Sequence, residues 1–307
     1  MNTCLKRPLR FDPRLLNRLS CMLLVCFLSE TARGQSLFTL VDGNSLLEIN
    51  TGAQATAYQW KVDGKQHLEE LSNWYRVGNN PSTPETSVHT LAIISETQTG
   101  PNTLNVQYLS AGQFLLEIDF ALFGGAPGSG FSTMGETIQI TNLTSLPMSF
   151  HLFEYVDLDL DETPLDDTVW LTSPNSLMQA DPFTDFQGTF DVDRYELDYQ
   201  PNTLGKLTDP VASALSDSWP TGAGPLGPPG DVTWALQWDF VGSIGARPQI
   251  SPGQTAIVSK ECQLQMYFVP EPGTCALSLW IAVLIAHFIP RRVKSYTLGR
   301  SWAVHRN

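Results

Sequence analysis

The run Val232-Thr-Trp-Ala-Leu-Gln-Trp-Asp-Phe240 places Val232, Trp234, Leu236, Trp238 and Phe240 at every second position. Successive side chains of an extended chain point to opposite faces, so a period of two builds one continuous apolar face. The same alternation sets Cys262, Leu264, Met266 and Phe268 on one side and Gln263, Gln265 and Tyr267 on the other. Further alternating runs cover 44–50, 54–62, 87–95, 102–109, 113–123, 135–142, 147–160 and 187–199. Gly, Pro and Asn punctuate them, and no twelve-residue stretch of the body keeps a 3.6-residue period between caps. Asp63-Gly64, between two such runs, predicts a type I′ hairpin turn. A dozen or so short strands predict an all-β fold, a single two-sheet, jelly-roll-like β-sandwich over residues 35–268.

Charge is distributed in blocks. Residues 1–34 hold six basic and two acidic groups, and residues 291–307 hold five basic and no acidic groups. Residues 35–290 therefore keep 7 of the 18 basic groups and 29 of the 31 acidic ones, a formal charge of −22. Nucleic-acid phosphates are held by Lys and Arg, so a body this acidic is no partner for nucleic acid. Of the five cysteines, Cys4, Cys21 and Cys26 fall near the N-terminus and Cys275 in a C-terminal apolar run. Only Cys262 remains for the body, on an apolar strand face, which predicts a buried thiol and no internal disulfide.

Both ends read as addresses. A basic stretch, the apolar run Leu19–Leu28 and the small residues Ala32 and Gly34 describe a signal peptide over 1–34, cut after Gly34 by signal peptidase. At the other end Val269-Pro270-Glu271-Pro272-Gly273 precedes the apolar run Thr274–Ile289 and then Pro290-Arg291-Arg292-Val293-Lys294. Sixteen residues span about 24 Å as a helix, enough for a short membrane helix with snorkelling arginines. The basic end is held in the cytoplasm, which puts the acidic body outside.

This trio, covering 269–294, resembles the PEP-CTERM sorting signal of Gram-negative bacteria, also known as the ice-binding protein C-terminal motif. The resemblance implies that Pro270, Glu271 and Pro272 are recognised by exosortase and that Arg291 and Arg292 open the basic tail, with 295–307 a cytoplasmic extension. It also implies an exported protein, first anchored in the inner membrane and then sorted to the cell surface or extracellular polymer. The body is similar to the β-sandwich ectodomains that precede this signal, through Asn73–Gly78 with Pro84-Glu85, Ile140–Asn142, Phe150–Tyr155 and Gly230–Asp239. That likeness implies a fold and no activity.

Within the body, residues 151–199 carry thirteen acidic side chains and one basic, Arg194. Strand alternation would put Asp157, Asp159 and Asp161 on one face, with Leu158 and Leu160 opposite. Such a trio either holds Ca²⁺ or forms a solvated acidic strand edge; Glu162 stands where an EF-hand needs Gly, which excludes that loop. His67, His89 and His151 lie far apart, with no second ligand at metal spacing, and read as surface or strand residues. Gly222–Gly227 matches G-x-G-x-x-G, yet Pro225, Pro228 and Pro229 forbid a helix there; Gly124–Gly130 lacks the lysine of a P-loop. Both read as loops.

No pair of carboxylates stands out at catalytic spacing, so the expectation is a non-enzymatic structural or interaction protein without a cofactor, Ca²⁺ aside. The rival readings are a carbohydrate-active enzyme and a Ca²⁺-dependent carbohydrate-binding module on the same sandwich. Extracellular polysaccharide is the partner expected in those cases, with Trp74 and Tyr75 as exposed rings for stacking on sugars. A regular Thr-x-Thr array is absent, which sets ice binding aside.

Overall fold

Alternation along the chain is realised as seventeen strands in the computed structural model, which describes residues 36–216, 229–243 and 247–267. In chain order they are β1 (Leu37–Asp42), β2 (Ser45–Asn50), β3 (Ala57–Val62), β4 (Lys65–Gln66), β5 (Glu70–Val77), β6 (Thr86–Ser87), β7 (Ala92–Gly100) and β8 (Thr103–Ser110). There follow β9 (Phe114–Gly124), β10 (Phe131–Asn142), β11 (Phe150–Asp157), β12 (Thr168–Ser173), β13 (Ser176–Ala180) and β14 (Thr184–Phe190). The last are β15 (Arg194–Tyr199), β16 (Val232–Phe240) and β17 (Thr255–Met266), and one helix, α1 (Gln200–Thr208), follows β15.

The strands form two sheets. The first runs β1-β2-β3-β5-β11-β16-β15, with β4 beside β3 and β6 beside β5; the second runs β12-β13-β14-β17-β10-β9-β8-β7. Neighbours pair antiparallel. The predicted all-β, two-sheet sandwich is therefore the fold. The Asp63-Gly64 turn forms as expected: Val62 pairs with Lys65 across it, and φ is +50° and +87° at its two residues. Asp63 also accepts the N–H groups of Gly128 (2.6 Å) and Gly130 (2.8 Å), tying this turn to the glycine loop after β9.

The inner faces meet in an aromatic core. Phe186 of β14 lies 6.4 Å from the Trp60 ring of β3 and 5.8 Å from the Trp234 ring of β16. Phe114 of β9 packs edge-on against Tyr75 (5.1 Å) and Phe150 (5.0 Å). Such pairs contribute about 0.5–1.5 kcal/mol each beyond the area they bury. Val232, Trp234, Leu236, Trp238 and Phe240 all face this core, as their spacing predicts. Cys262 is buried as expected, and burial pushes its thiol up to about 12, so it is inert at neutral pH.

The structure differs from the sequence expectations at several places: the run 87–95 opens with a 3₁₀ turn at Val88–Thr90 before β7, and 187–199 is divided between β14 and β15. Strands β1, β5, β12 and β13 carry no clean alternation and were not anticipated, nor was α1, which at nine residues is too short for a periodicity signal. The run 147–160 stops being a strand at Asp157, because a tight turn spans Leu160–Glu162 with φ of +58° at Asp161 and +67° at Glu162. His151 is a strand residue, on β11, though a buried one, whereas His67 is buried outside any strand and so is neither a surface nor a strand residue. Trp74 is only 6% exposed, and Tyr75 lies in the sandwich with its ring stacked on Phe150, so neither is an open platform for a sugar.

The described residues up to Met266 form one unit; of a second, Tyr267–Asn307, only Tyr267 is described. The expected signal peptide over 1–34, Gly222–Gly227, Phe268, Pro270, Glu271, Pro272, the apolar run 274–289, Arg291 and Arg292 lie outside the described residues. Among the described residues no helix is long and apolar enough to cross a membrane.

Candidate functional site

Residues opposite one another in paired strands share a face. His151 of β11 pairs with Arg76 of β5 and with Asp239 of β16, Phe153 with Trp74 and Gln237, Tyr155 with Ser72 and Ala235, and Asp157 with Glu70 and Thr233. Arg194 of β15 continues the second row beside Gln237. These four rows form the outer face of the first sheet, turned away from the main core. An outer sheet face normally meets water, but every residue of β11 and β16 is buried. The cover is an arm made of α1 and the segment after it. Leu207 and Leu215 pack on Trp74, Phe153, Tyr155 and Ala235 in a second apolar cluster.

The arm is pinned by polar side chains. Leu215 N–H donates to Gln237 Oε1 (2.9 Å), Ser213 N–H to Glu85 Oε1 (2.9 Å), and Lys206 Nζ to Glu196 Oε1 (2.5 Å). Lying across the middle rows, it leaves the two ends of the face with opposite character.

At the His151 end is a cleft of about 560 Å³, lined by Arg76, Asn79, His151, Arg194, Gln237 and Asp239 among others. Asp239 is its hub. His151 Nδ1 lies 2.5 Å from Asp239 Oδ1, Gln237 Nε2 donates to the same oxygen at 2.6 Å, and Arg194 Nε stands 3.4 Å from Oδ2. Burial alone would push the Asp239 carboxyl up; the hydrogen bonds from His151 and Gln237, with the charges of His151 and Arg194, outweigh it and hold it below its ordinary value. An ionised carboxylate only accepts, so the His151 Nδ1 bears the shared proton. His151 Nε2 then faces Asn79 Oδ1 at 3.2 Å. Arg76 bonds Glu85 (2.7 Å) and the Ser213 carbonyl (3.0 Å), with its guanidinium 5.7 Å from the Phe153 ring centre.

At the Asp157 end the face is acidic. One carboxylate oxygen from each of Asp157, Asp159 and Asp231 lies within 4.8 Å of the others. The sequence grouped Asp157 and Asp159 with Asp161, and here the structure differs. The positive φ at Asp161 turns it away, its carboxylate takes Lys65 Nζ at 2.5 Å, and its N–H donates to His67 Nδ1 at 3.0 Å. Asp231, just before β16, takes the third place instead.

Of the cleft residues, sequence reasoning weighed only His151, as a metal ligand, and set it aside. Gln237 and Asp239 sit at the off-beats of the clearest strand in the chain, so a polar outer face was legible there. That His151 and Arg76 stand beside them follows from strand pairing, which one sequence does not disclose.

No protein-family model matches the chain, and no curated protein matches it. Solved structures give distant likenesses. A bacterial glucoamylase complexed with acarbose has a TM-score of 0.48 at 8% identity, over 80% of this chain and 35% of that one. The chain thus spans about a third of the glucoamylase's length. A putative aldose 1-epimerase from Escherichia coli K12 has 0.47 at 11%, over 76% of this chain and 100% of that one. A protein from Synechocystis has 0.47 at 13%, over 78% and 99%. Likenesses this remote transfer neither activity nor site residues.

Proposed function

We propose that this chain is an exported β-sandwich protein that binds a carbohydrate in the cleft at the His151 end of the first sheet. The observation that supports it is the lining. Arg76, Asn79, His151, Arg194, Gln237 and Asp239 present planar donors and acceptors in one hollow, and most are already fixed by each other. The cationic groups there face carboxylates, Arg76 with Glu85 and Arg194 with Asp239, so the cleft has no excess positive charge for a phosphate. A polyhydroxylated ligand, which both donates and accepts at every carbon, suits such a surface. A glycan array followed by titration calorimetry tests this. Binding is expected, weakened at least tenfold by Asn79→Ala or Arg194→Ala, which is about 1.4 kcal/mol. Binding to no glycan, or binding indifferent to both changes, overturns it.

One observation favours a second reading, an enzyme that moves a proton on the same class of ligand. His151 is oriented and polarised by an ionised, buried Asp239, the arrangement a general acid–base needs. Turnover of a bound sugar that His151→Asn abolishes while binding persists would select this reading. The binding reading expects no turnover in either protein.

Delivery follows the C-terminal signal. The chain is processed by signal peptidase, anchored by 274–289, and released by exosortase at Pro270-Glu271-Pro272 to a structural or interaction role at the cell surface or in extracellular polymer. Mass spectrometry of the exported protein is expected to find nothing beyond about residue 272. A C-terminus at Asn307 contradicts this. Alanine at Pro270, Glu271 and Pro272 is expected to hold the protein in the inner membrane.

A further inference from the structure

We infer that Asp157, Asp159 and Asp231 form a site for a divalent cation of the Ca²⁺ class, at the end of the β11–β16 pair away from the cleft. Two separate stretches of chain supply the ligands: the last residue of β11 with the turn after it, and the residue before β16. Hard cations bind carboxylate oxygens at about 2.3–2.6 Å, so oxygens sharing one Ca²⁺ lie no more than about 5 Å apart. The three carboxylates meet that condition at 4.8 Å.

A cluster of acids on a wet edge would prove nothing, and Asp157 is not on a wet edge. It is 5% exposed; its Oδ2 accepts the Tyr155 hydroxyl at 3.2 Å, and its Oδ1 is sealed from solvent with no donor. After burial, Asp231 and Asp159 are the strongest influences on this carboxyl, and Glu70 adds to them. Glu69 bears likewise on Asp159. Lys65 is engaged by Asp161. Arg76, Arg194, Lys206, Arg247 and Lys260 pair with other carboxylates. A buried oxygen without a donor, beside two further carboxylates that form no ion pair among the described residues, is what a bound cation would satisfy. Ca²⁺ fits better than Mg²⁺, because ligands from a strand end and two loops tolerate its irregular coordination, while Mg²⁺ demands near-ideal octahedral geometry. The ion would fasten the turn after β11 to the start of β16. It lies six residues along β11 from His151, about 20 Å, so it does not touch a ligand in the cleft.

The test uses the full-length protein stripped with EDTA and titrated with Tb³⁺ and then Ca²⁺ in 150 mM NaCl. Tyr155, bonded to Asp157, should sensitise Tb³⁺ luminescence, and Ca²⁺ should quench it stoichiometrically with a Kd of about 10⁻⁵–10⁻³ M, in the range of weaker Ca²⁺ sites. Asp231→Asn and Asp159→Asn should each remove the signal, and Asp161→Asn should keep it. In EDTA, Asp231→Asn should melt at or above the wild-type temperature, since it removes one of the repelling charges. No saturable signal, or a signal unchanged in Asp231→Asn, overturns the site. So does a Ca²⁺-induced rise in melting temperature that NaCl of matched ionic strength reproduces.

Discussion

At the scale of single residues, burial sets the charge states that will govern how the protein responds to pH. His67 is fully buried, accepts the Asp161 N–H through Nδ1, and has its Nε2 sealed without a partner. Burial pushes it down to about 4, against a smaller upward pull from Asp161. Between pH 6.5 and 4 the unfolded chain takes up a proton that the fold refuses. Stability from His67 is therefore whole above 6.5 and is lost as pH falls toward 4, by about 3 kcal/mol. Denaturant melts of His67→Gln against pH are expected to show a flatter acid limb. Asp167 acts with the opposite sign. Burial raises it from 3.8 to about 8 despite hydrogen bonds from Gln179 and Leu160, so its contribution is whole below 3.8 and is lost as pH rises from there to about 8. Some residue-level facts were legible in advance, such as the Asp63-Gly64 turn and the inert Cys262. The burial of Trp74 was not, because the residues that cover it lie about 130 positions away.

At the scale of elements, the arm is the piece that turns a sheet face into a cleft. α1 begins with Pro201 in its first turn and has no side-chain cap, and a nine-residue helix is marginal alone. Its docking rests on Leu207 and Leu215, both fully buried. A buried Leu→Ala change costs about 2–5 kcal/mol when the whole fold bears it. Here the arm can open by itself, so Leu215→Ala is expected to act locally. Hydrogen exchange should speed up across 200–216 while the sandwich keeps its protection, and any ligand of the cleft should bind more weakly as Gln237 and Arg76 lose their fastenings. Equal loss of protection in β16 would show that the arm and the sheet open as one unit.

At the scale of the whole molecule, the two sheets are joined by an ionic link as well as by aromatic packing. Lys260 of β17 lies buried between Glu136 of β10 (2.7 Å) and Glu154 of β11, so the triad spans both sheets, and Asn73 of β5 donates to Glu136 at 3.1 Å. Burial disfavours the lysine's charge, but the two carboxylates outweigh it and hold Lys260 protonated. Burial, with Glu136 beside it, pushes Glu154 up against the pull of Lys260. Removing the cation strands two buried acids. Lys260→Met is expected to cost about 3–5 kcal/mol in urea melts, and adding Glu136→Gln and Glu154→Gln should return most of it. An unaffected Lys260→Met melt would mean that the apolar packing alone holds the sheets together.

Alternation by itself determined that the chain is a β-sandwich and which side of β16 and β17 faces the core, because period and burial are both local properties of a strand. The acidity of the body is likewise read by counting and needs no structure. Pairing of β11 with both β5 and β16 was decided only in three dimensions, and with it the meeting of Arg76, His151 and Asp239. The same pairing replaced Asp161 by Asp231 in the acidic group, since a reversed φ at one residue and a strand some seventy positions away together choose the third carboxylate. Strand order depends on contacts between distant segments whose relative free energies no single segment encodes, and the site is assembled across those contacts.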